Sequence, residues 1–229
     1  MSAPPTTRGD AYTAPDFAAA ALITIDTQRD VLDGQPLEIP GTSAALPRIQ
    51  ALAHAFRETG RAIVHVVRLY RADGTNVDLC RRRAVESGRR MLVPGSPGAE
   101  LAPGLLPSPD LRLDADLLLA GGIQHVGPAE SVVYKPRWGA FHQTPLEPHL
   151  RRLGVSTLAF AGANFPNCPR SSIYEASERD FRVIVVRDGV SGLYARGEEE
   201  LVNIGVALMH TAELVRALRA PPGTDRRAR

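Results

Sequence analysis

Three residues of this 229-residue chain have the types and placement to do covalent chemistry: Asp26, Lys135 and Cys168. Asp26 directly follows the apolar, β-branched run 20–25 (AALITI), the pattern of a buried parallel strand. At that exit a carboxylate is either a turn or capping residue, or a half-buried acid that needs a partner. Cys168 follows a second apolar run, 157–161 (TLAFA), and the link GANFPN. Pro169 suits the first turn of a helix, which puts Cys168 at a helix start. There the dipole and free backbone N–H groups favour thiolate over thiol. The other reading of a lone cysteine is a buried, inert small hydrophobe, as assigned to Cys80. Lys135 follows the strand-like segment 130–134 (ESVVY) and is the only lysine among 27 basic residues. Arginine supplies the generic positive charge of this chain, so the single lysine marks a place for a compact ammonium instead of a planar fork. Acid, ammonium and thiol at neighbouring strand ends could make a nucleophile: the carboxylate takes the thiol proton, and the ammonium holds the negative charge.

The elements that must position these residues follow from periodicity. Strands are expected at 20–25, 62–67 (AIVHVV), 130–134, 157–161 and 183–186 (VIVV). Helices are expected over 43–59, stopped by Gly60, and over 76–88, 145–152 and 169–181. A long amphipathic closing helix is expected over 198–218. Segment 94–109, with five prolines and no period, reads as a long surface loop, either a lid or an oligomer contact. Residues 1–16 and 220–229 lack an apolar period and read as loose tails around one domain, 17–219. Alternation of strands and helices at this spacing points to an α/β fold with an open, mostly parallel, doubly wound sheet and helices on both faces. In such a sheet, sites gather at the carboxyl ends of the strands, where strand order reverses.

Composition removes several classes. A formal charge of +2 is too even for a nucleic-acid stripe, and no apolar run reaches the roughly 20 residues of a membrane span. The N-terminus lacks the basic start and apolar stretch of a secretory signal, so the cytoplasm is the expected location. Two cysteines without a CxxC fit neither a disulfide framework nor a zinc site. No G-x-G-x-x-G follows the first strand, which rejects a dinucleotide-binding oxidoreductase.

Over roughly residues 18 to 218 the chain resembles the isochorismatase-like cysteine hydrolases, a family of nicotinamidases, N-carbamoylsarcosine amidases, ureidoacrylate amidohydrolases and isochorismatases. Three motifs carry the resemblance. They are the I-D-x-Q turn at 25–28, a K-x-x-x-x-A-F-x-x-T-x-L pattern at 135–146, and a glycine six residues before the nucleophile, Gly162 to Cys168, with a later Arg187-Asp188-Gly189 turn. The resemblance implies a three-layer α/β/α fold, a catalytic triad of Asp26, Lys135 and Cys168, and a thioester intermediate. It also implies an oxyanion hole of the Cys168 N–H and an N–H beside a non-proline cis peptide, by position Ala163–Asn164. A homo-oligomer, dimer or tetramer, is implied as well.

Departures from the family bear on the ligands. The Asp and His set that holds a metal in nicotinamidases is absent here: Asp30 and Asp33 are not followed by D-x-H, and the second strand leads to Arg68-Leu-Tyr-Arg71. No metal and no cofactor are therefore expected. His65, inside that strand, reads as a satisfied core histidine. Phe165-Pro-Asn167 replaces the usual threonine before the nucleophile. A small-molecule pocket is expected around Gln28, Arg68, Trp138, Phe141 and Phe165, with the aromatics equally readable as core. Arg68 and Arg71 are either carboxylate binders or solvated surface charges. The leading expectation is a hydrolase of small amide, carbamoyl or ureido compounds. The alternatives are vinyl-ether hydrolysis without use of the thiol, and an idle interaction module.

Overall fold

The computed structural model describes residues 10–220; the expected tail segments 1–9 and 221–229 lie outside the described residues. Seven strands form one sheet: β1 (Ala20–Ile25), β2 (Ala62–Val67), β3 (Ile123–Gly127), β4 (Glu130–Tyr134), β5 (Thr157–Gly162), β6 (Arg182–Val190) and β7 (Ala207–Met209). Their order is β3-β4-β2-β1-β5-β6-β7, parallel throughout except for the β3–β4 edge pair. The chain winds outward from β1 in both directions, so strand order reverses beside it.

Side chains alternate across the sheet, and each face buries a different set of helices. On one face Leu22, Ile63, Ala159 and Ile184 pack with α1 (Thr42–Glu58), α3 (Ala115–Leu119) and α7 (Thr211–Arg219). On the other, Ile23, Val64, Phe160 and Val185 pack with α4 (Leu146–Arg152), α5 (Cys168–Ser177) and Leu201 of α6 (Ala195–Asn203). α2 (Leu79–Glu86) buries none of its residues. The expected α/β sandwich with helices on both faces is therefore present.

The closing helix is not continuous. Gly205 adopts φ +80°, a conformation that ends α6, and 207–209 then add β7 to the sheet edge beside Ile184–Val186. α7 starts afresh at His210, whose N–H donates to Glu213 Oε2 at 2.7 Å in a capping box. The apolar repeat of 198–218 fits two short helices facing one core as well as it fits a single long one.

Two other expectations change. The segment 94–109 is neither lid nor free loop: Ala99, Leu101, Ala102 and Leu105 are buried in the core beside α1. The last residue of the expected tail is tied to the sheet, since the Asp16 N–H donates to Thr157 Oγ1 at 2.9 Å, and Thr157 stands on the first rung of the β1–β5 pairing. The short antiparallel β3 went unforeseen; its sequence, IQHVG, has only a weak strand signature.

One glycine fixes the approach of β5 to β1. Gly162 has φ +118°, and a Cβ there would stand 2.2 Å from the Ile25 carbonyl oxygen. Gly162→Ala is therefore expected to destabilise the fold by about 3 kcal/mol or more, because both the left-handed backbone and the clash act together. Chemical denaturation at constant m-value is the check.

Candidate active site

The carboxyl ends of β1, β2, β4 and β5 converge above the point of reversal. β2 lies between β1 and β4, and its last carbonyls hold both neighbours: the Asp26 N–H donates to Val66 O at 2.9 Å and the Lys135 N–H to Val67 O at 3.0 Å. The two side chains close over β2 in a buried ion pair, Lys135 Nζ to Asp26 Oδ2 at 2.8 Å. Lys135 is wholly buried, and its ammonium also donates to Arg137 O at 3.3 Å. Asp26 itself has φ +47°, an unusual backbone state for a non-glycine residue that clusters at functional sites. Its second oxygen, Oδ1, is buried without a hydrogen-bond partner among the described residues.

Cys168 begins α5 and shares a small cavity with Asp26, Arg68, Ala163 and Asn164. Val31, Leu37, Ile39 and Leu92 supply its apolar wall, and its free volume is only about 10 Å³, room for at most one water. Two larger hollows, about 530 and 440 Å³, lie elsewhere on the surface and contain neither cysteine nor lysine. Burial and the adjacent Asp26 carboxylate push the Cys168 thiol up to about 11, against the pull of Lys135 and Arg68. The sequence expectation weighed only the helix start; burial and the Asp26 carboxylate act in the opposite direction on this thiol.

The expected oxyanion donors, Asn164 N–H and Cys168 N–H, both stand at the cavity, and among the described residues neither has a backbone or side-chain acceptor. The Ala163–Asn164 peptide is trans, as are all peptides of the described residues, so the expected cis bond is corrected. Trans is the cheaper isomer by about 2.5 to 4 kcal/mol for a non-proline peptide.

Of the expected pocket residues, only Arg68 lines the cavity. Far from being solvated, it is 2% exposed. Its Nη1 donates to both Asp78 oxygens at 3.0 and 2.9 Å and to Pro136 O, and its Nη2 donates to Arg137 O and lies 3.9 Å from Cys168 Sγ. Gln28 is a brace: its amide exchanges bonds with the Arg68 backbone, Nε2 to O and N to Oε1, both at 2.8 Å, and reaches Ala99 O at 2.6 Å. A buried amide must satisfy all its groups, and this one spends them on fixing the exit of β2. Phe141 packs on Phe181 and Phe165 on Tyr194, both in the core. Trp138 lies against Arg68 and Arg81, with its ring centroid 5.6 and 4.9 Å from their guanidinium carbons. Arg71 lines the surface hollow of about 530 Å³ and is not on the cavity wall. Sequence reasoning missed Arg81 and Asp78, which lie in an arginine-rich helical stretch that gives no periodic signal.

His65 is held between Thr24 Oγ1 at 2.7 Å and Glu130 Oε1 at 2.8 Å, a satisfied core histidine as expected. The metal set of nicotinamidases does not fit this chain: the Asp30 carboxylate accepts the Leu92 N–H at 2.6 Å, and Arg68, not histidine, follows β2. Among the described residues no three His, Cys, Asp or Glu side chains stand close enough to hold an ion.

Two outcomes follow from these electrostatics. Lys135→Met leaves Asp26 buried and unpaired, and a loss of about 3 to 5 kcal/mol in denaturant unfolding is expected. The thiol is raised in the folded chain from 9.0 to about 11, so the folded state retains a proton the unfolded state has lost over that interval. Stability should accordingly fall as pH rises from 9 to about 11, and this component should vanish in Cys168→Ser.

The profile of the Isochorismatase domain matches residues 20–114 and 123–213. A curated relative, named a probable inactive nicotinamidase of Arabidopsis thaliana, is 27% identical over 81% of this chain and 89% of its own length. The maleamate amidohydrolase of Pseudomonas putida is 30% identical over 78% of this chain and 75% of its own. Among solved structures, an isochorismatase family protein from Desulfovibrio vulgaris superposes with a TM-score of 0.74 at 31% identity, covering 88% of this chain and 99% of that one. Sheet order, the convergence of strand ends and the profile match agree: the chain belongs to the isochorismatase family of hydrolases.

Proposed function

We propose that this protein is a cysteine hydrolase that cleaves a C–N bond of a small amide, carbamoyl or ureido compound through a thioester, with release of ammonia or an amine. The observation that carries this reading is the division of labour on Asp26. Oδ2 is fixed by Lys135, while Oδ1 is buried and unpartnered among the described residues, on a side chain that lines the same cavity as Cys168. An acceptor held in that way costs free energy at rest and has a use once a proton must leave sulfur.

In the first half-reaction Cys168 Sγ bonds to the carbonyl carbon and its proton passes to Asp26. The carbonyl electron pair moves to oxygen, where the N–H groups of Asn164 and Cys168 can receive it. Collapse breaks the C–N bond, and Asp26 returns the proton to the leaving nitrogen. Asp26 then takes a proton from water as its oxygen attacks the thioester. The acid leaves, sulfur departs with the bonding pair, and the proton on Asp26 goes back to it. Lys135 keeps Asp26 oriented through the ion pair. The amidohydrolase name of the Pseudomonas putida relative supports the C–N bond as target.

The name of the Arabidopsis thaliana relative favours a second reading, a catalytically idle member of the same fold. Ammonia release from a panel of small amides, carbamoyl amino acids and ureido acids, by wild type and Cys168→Ala side by side, separates the readings. Release by wild type with a loss of at least about a thousandfold in kcat/KM for the variant is expected. Turnover of a vinyl ether retained in Cys168→Ala points to the thiol-independent reaction, and silence from both forms on every substrate to an idle fold.

A further inference from the structure

We infer that Ser172 is a positioning residue for the proposed reaction: its hydroxyl, with Glu175 beside it, ties the segment that follows Lys135 to the helix start that carries Cys168, and so fixes the thiol relative to the ion pair. This deepens the proposed function and rests on it for the roles of Asp26, Lys135 and Cys168.

Lys135 follows β4 and Cys168 follows β5, and β2 and β1 lie between those two strands, so no rung of the sheet joins them. The join is made above the sheet. Ser172 stands one turn after Cys168 on α5 and is wholly buried. Its Oγ lies 3.0 Å from the Ala140 N and 2.7 Å from Cys168 O. A backbone N–H only donates and a carbonyl only accepts, so the hydroxyl receives the Ala140 N–H and its single proton points at Cys168 O. One side chain therefore bonds both the loop of the lysine and the carbonyl of the nucleophile itself.

Glu175 adds a second hold, its Oε2 accepting the Phe141 N–H at 2.9 Å. Cys168, Ser172 and Glu175 stand at i, i+4 and i+7, on one stripe of the helix. The segment 139–141 lies so close to that stripe that a Cβ on Gly139 would overlap the Glu175 carboxylate. On the other side Thr144 Oγ1 donates to Ala140 O at 2.6 Å. The second half of the motif at 135–146 thus has a use: Ala140, Phe141 and Thr144 do not line the cavity, yet they seat the loop of Lys135 on the helix of Cys168. Without the Ser172 hydroxyl the Ala140 N–H would be left without a partner inside the protein, a costly state that water or a shift of the loop relieves. Either change wets the helix start. Burial is the largest influence on the Cys168 thiol and raises it, Asp26 raises it further, and Lys135 and Arg68 pull the other way, with the result about 11. Water admitted beside Cys168 therefore moves the thiol back toward 9.0.

The test reads the thiol directly. In a Cys80→Ser background Cys168 is the only cysteine, and NMR of isotope-labelled cysteine Cβ follows its ionisation with no need of substrate, reagent access or turnover. Ser172→Ala is expected to lower the titration midpoint by about one unit or more. Ser172→Thr, whose hydroxyl can make the same bond back to the preceding turn, should keep the wild-type midpoint. Thr157→Val is the matched control: it removes another wholly buried hydroxyl that accepts a backbone N–H, at the opposite edge of the sheet, and should leave the midpoint in place. An unmoved midpoint in Ser172→Ala, or an equal movement in Thr157→Val, overturns the inference. Should Ser172→Ala not fold, Glu175→Ala decides, since that half-buried side chain holds the adjacent N–H; a wild-type midpoint there overturns the inference as well. On whichever substrate the wild type cleaves, Ser172→Ala should lower kcat on the order of tenfold to a hundredfold at unchanged KM, because the residue places the reacting groups without touching the ligand. A wild type silent on every substrate defeats the proposed function, and the thiol midpoint still decides the tether.

Discussion

The Asp26–Lys135 ion pair is the contact around which the carboxyl edge of the sheet is arranged. Its two members come from strands that are not neighbours. They meet only because β2 runs between β1 and β4 and its last two carbonyls hold the backbones of both residues. A buried pair of this kind gives little net stability, since desolvation consumes most of the attraction, but losing one partner is expensive. The pair thus acts as a constraint: any packing that separates the ends of β1 and β4 strands a charge in the interior. Asp26 accepts a left-handed backbone to make the contact, and Gly162 gives up its side chain so that β5 can lie against Ile25. Cys168 is delivered to the same place by the helix that follows β5.

Lower in the same sheet, a second polar network keeps β1, β2 and β4 in register. Thr24, His65 and Glu130 face one another on three adjacent strands, and Arg57 of α1 closes the chain on Glu130 at 2.7 Å. Every member has a partner, which is the condition for a buried polar chain to specify a structure instead of weakening it. Burial alone would raise the Glu130 carboxyl, but hydrogen bonds from Arg57 and His65 hold it below its ordinary value. A slip of one residue in any of these strands would break that network and also part Asp26 from Lys135.

Arginine serves two purposes in this chain. Among the described residues most arginines are exposed, which fits a composition that uses this side chain wherever a cation will do. Arg68 is different, since it replaces surface exposure with four hydrogen bonds and one approach to sulfur around one guanidinium and keeps Asp78 ionised beside it. Burial would raise the Asp78 carboxyl, yet the charge of Arg68 and the bonds from Tyr70 and Arg68 hold it down. Asp78 therefore does not cap α2, as its position before that helix would suggest, because its oxygens are already engaged.

By itself the sequence determined the class of fold, the strands that carry Asp26, Lys135 and Cys168, and the singling out of those three residues. These are local facts: apolar β-branched runs, a proline after a cysteine, and one lysine among many arginines. It could not assign the aromatics, because Phe141 and Phe165 look alike as core or as pocket until their neighbours are known. Nor could it divide 198–218 into two helices and a strand, since the apolar repeat serves either arrangement and a single glycine decides. Gln28 belonged to a recognisable turn, but only the crossing of β2 made it a clamp instead of a pocket residue. Only the tertiary structure decided the surroundings of the thiol and the burial of Arg68. A pKa and an ion pair depend on what surrounds a group in space, and the groups that matter here come from four strands and a helix far apart in the chain.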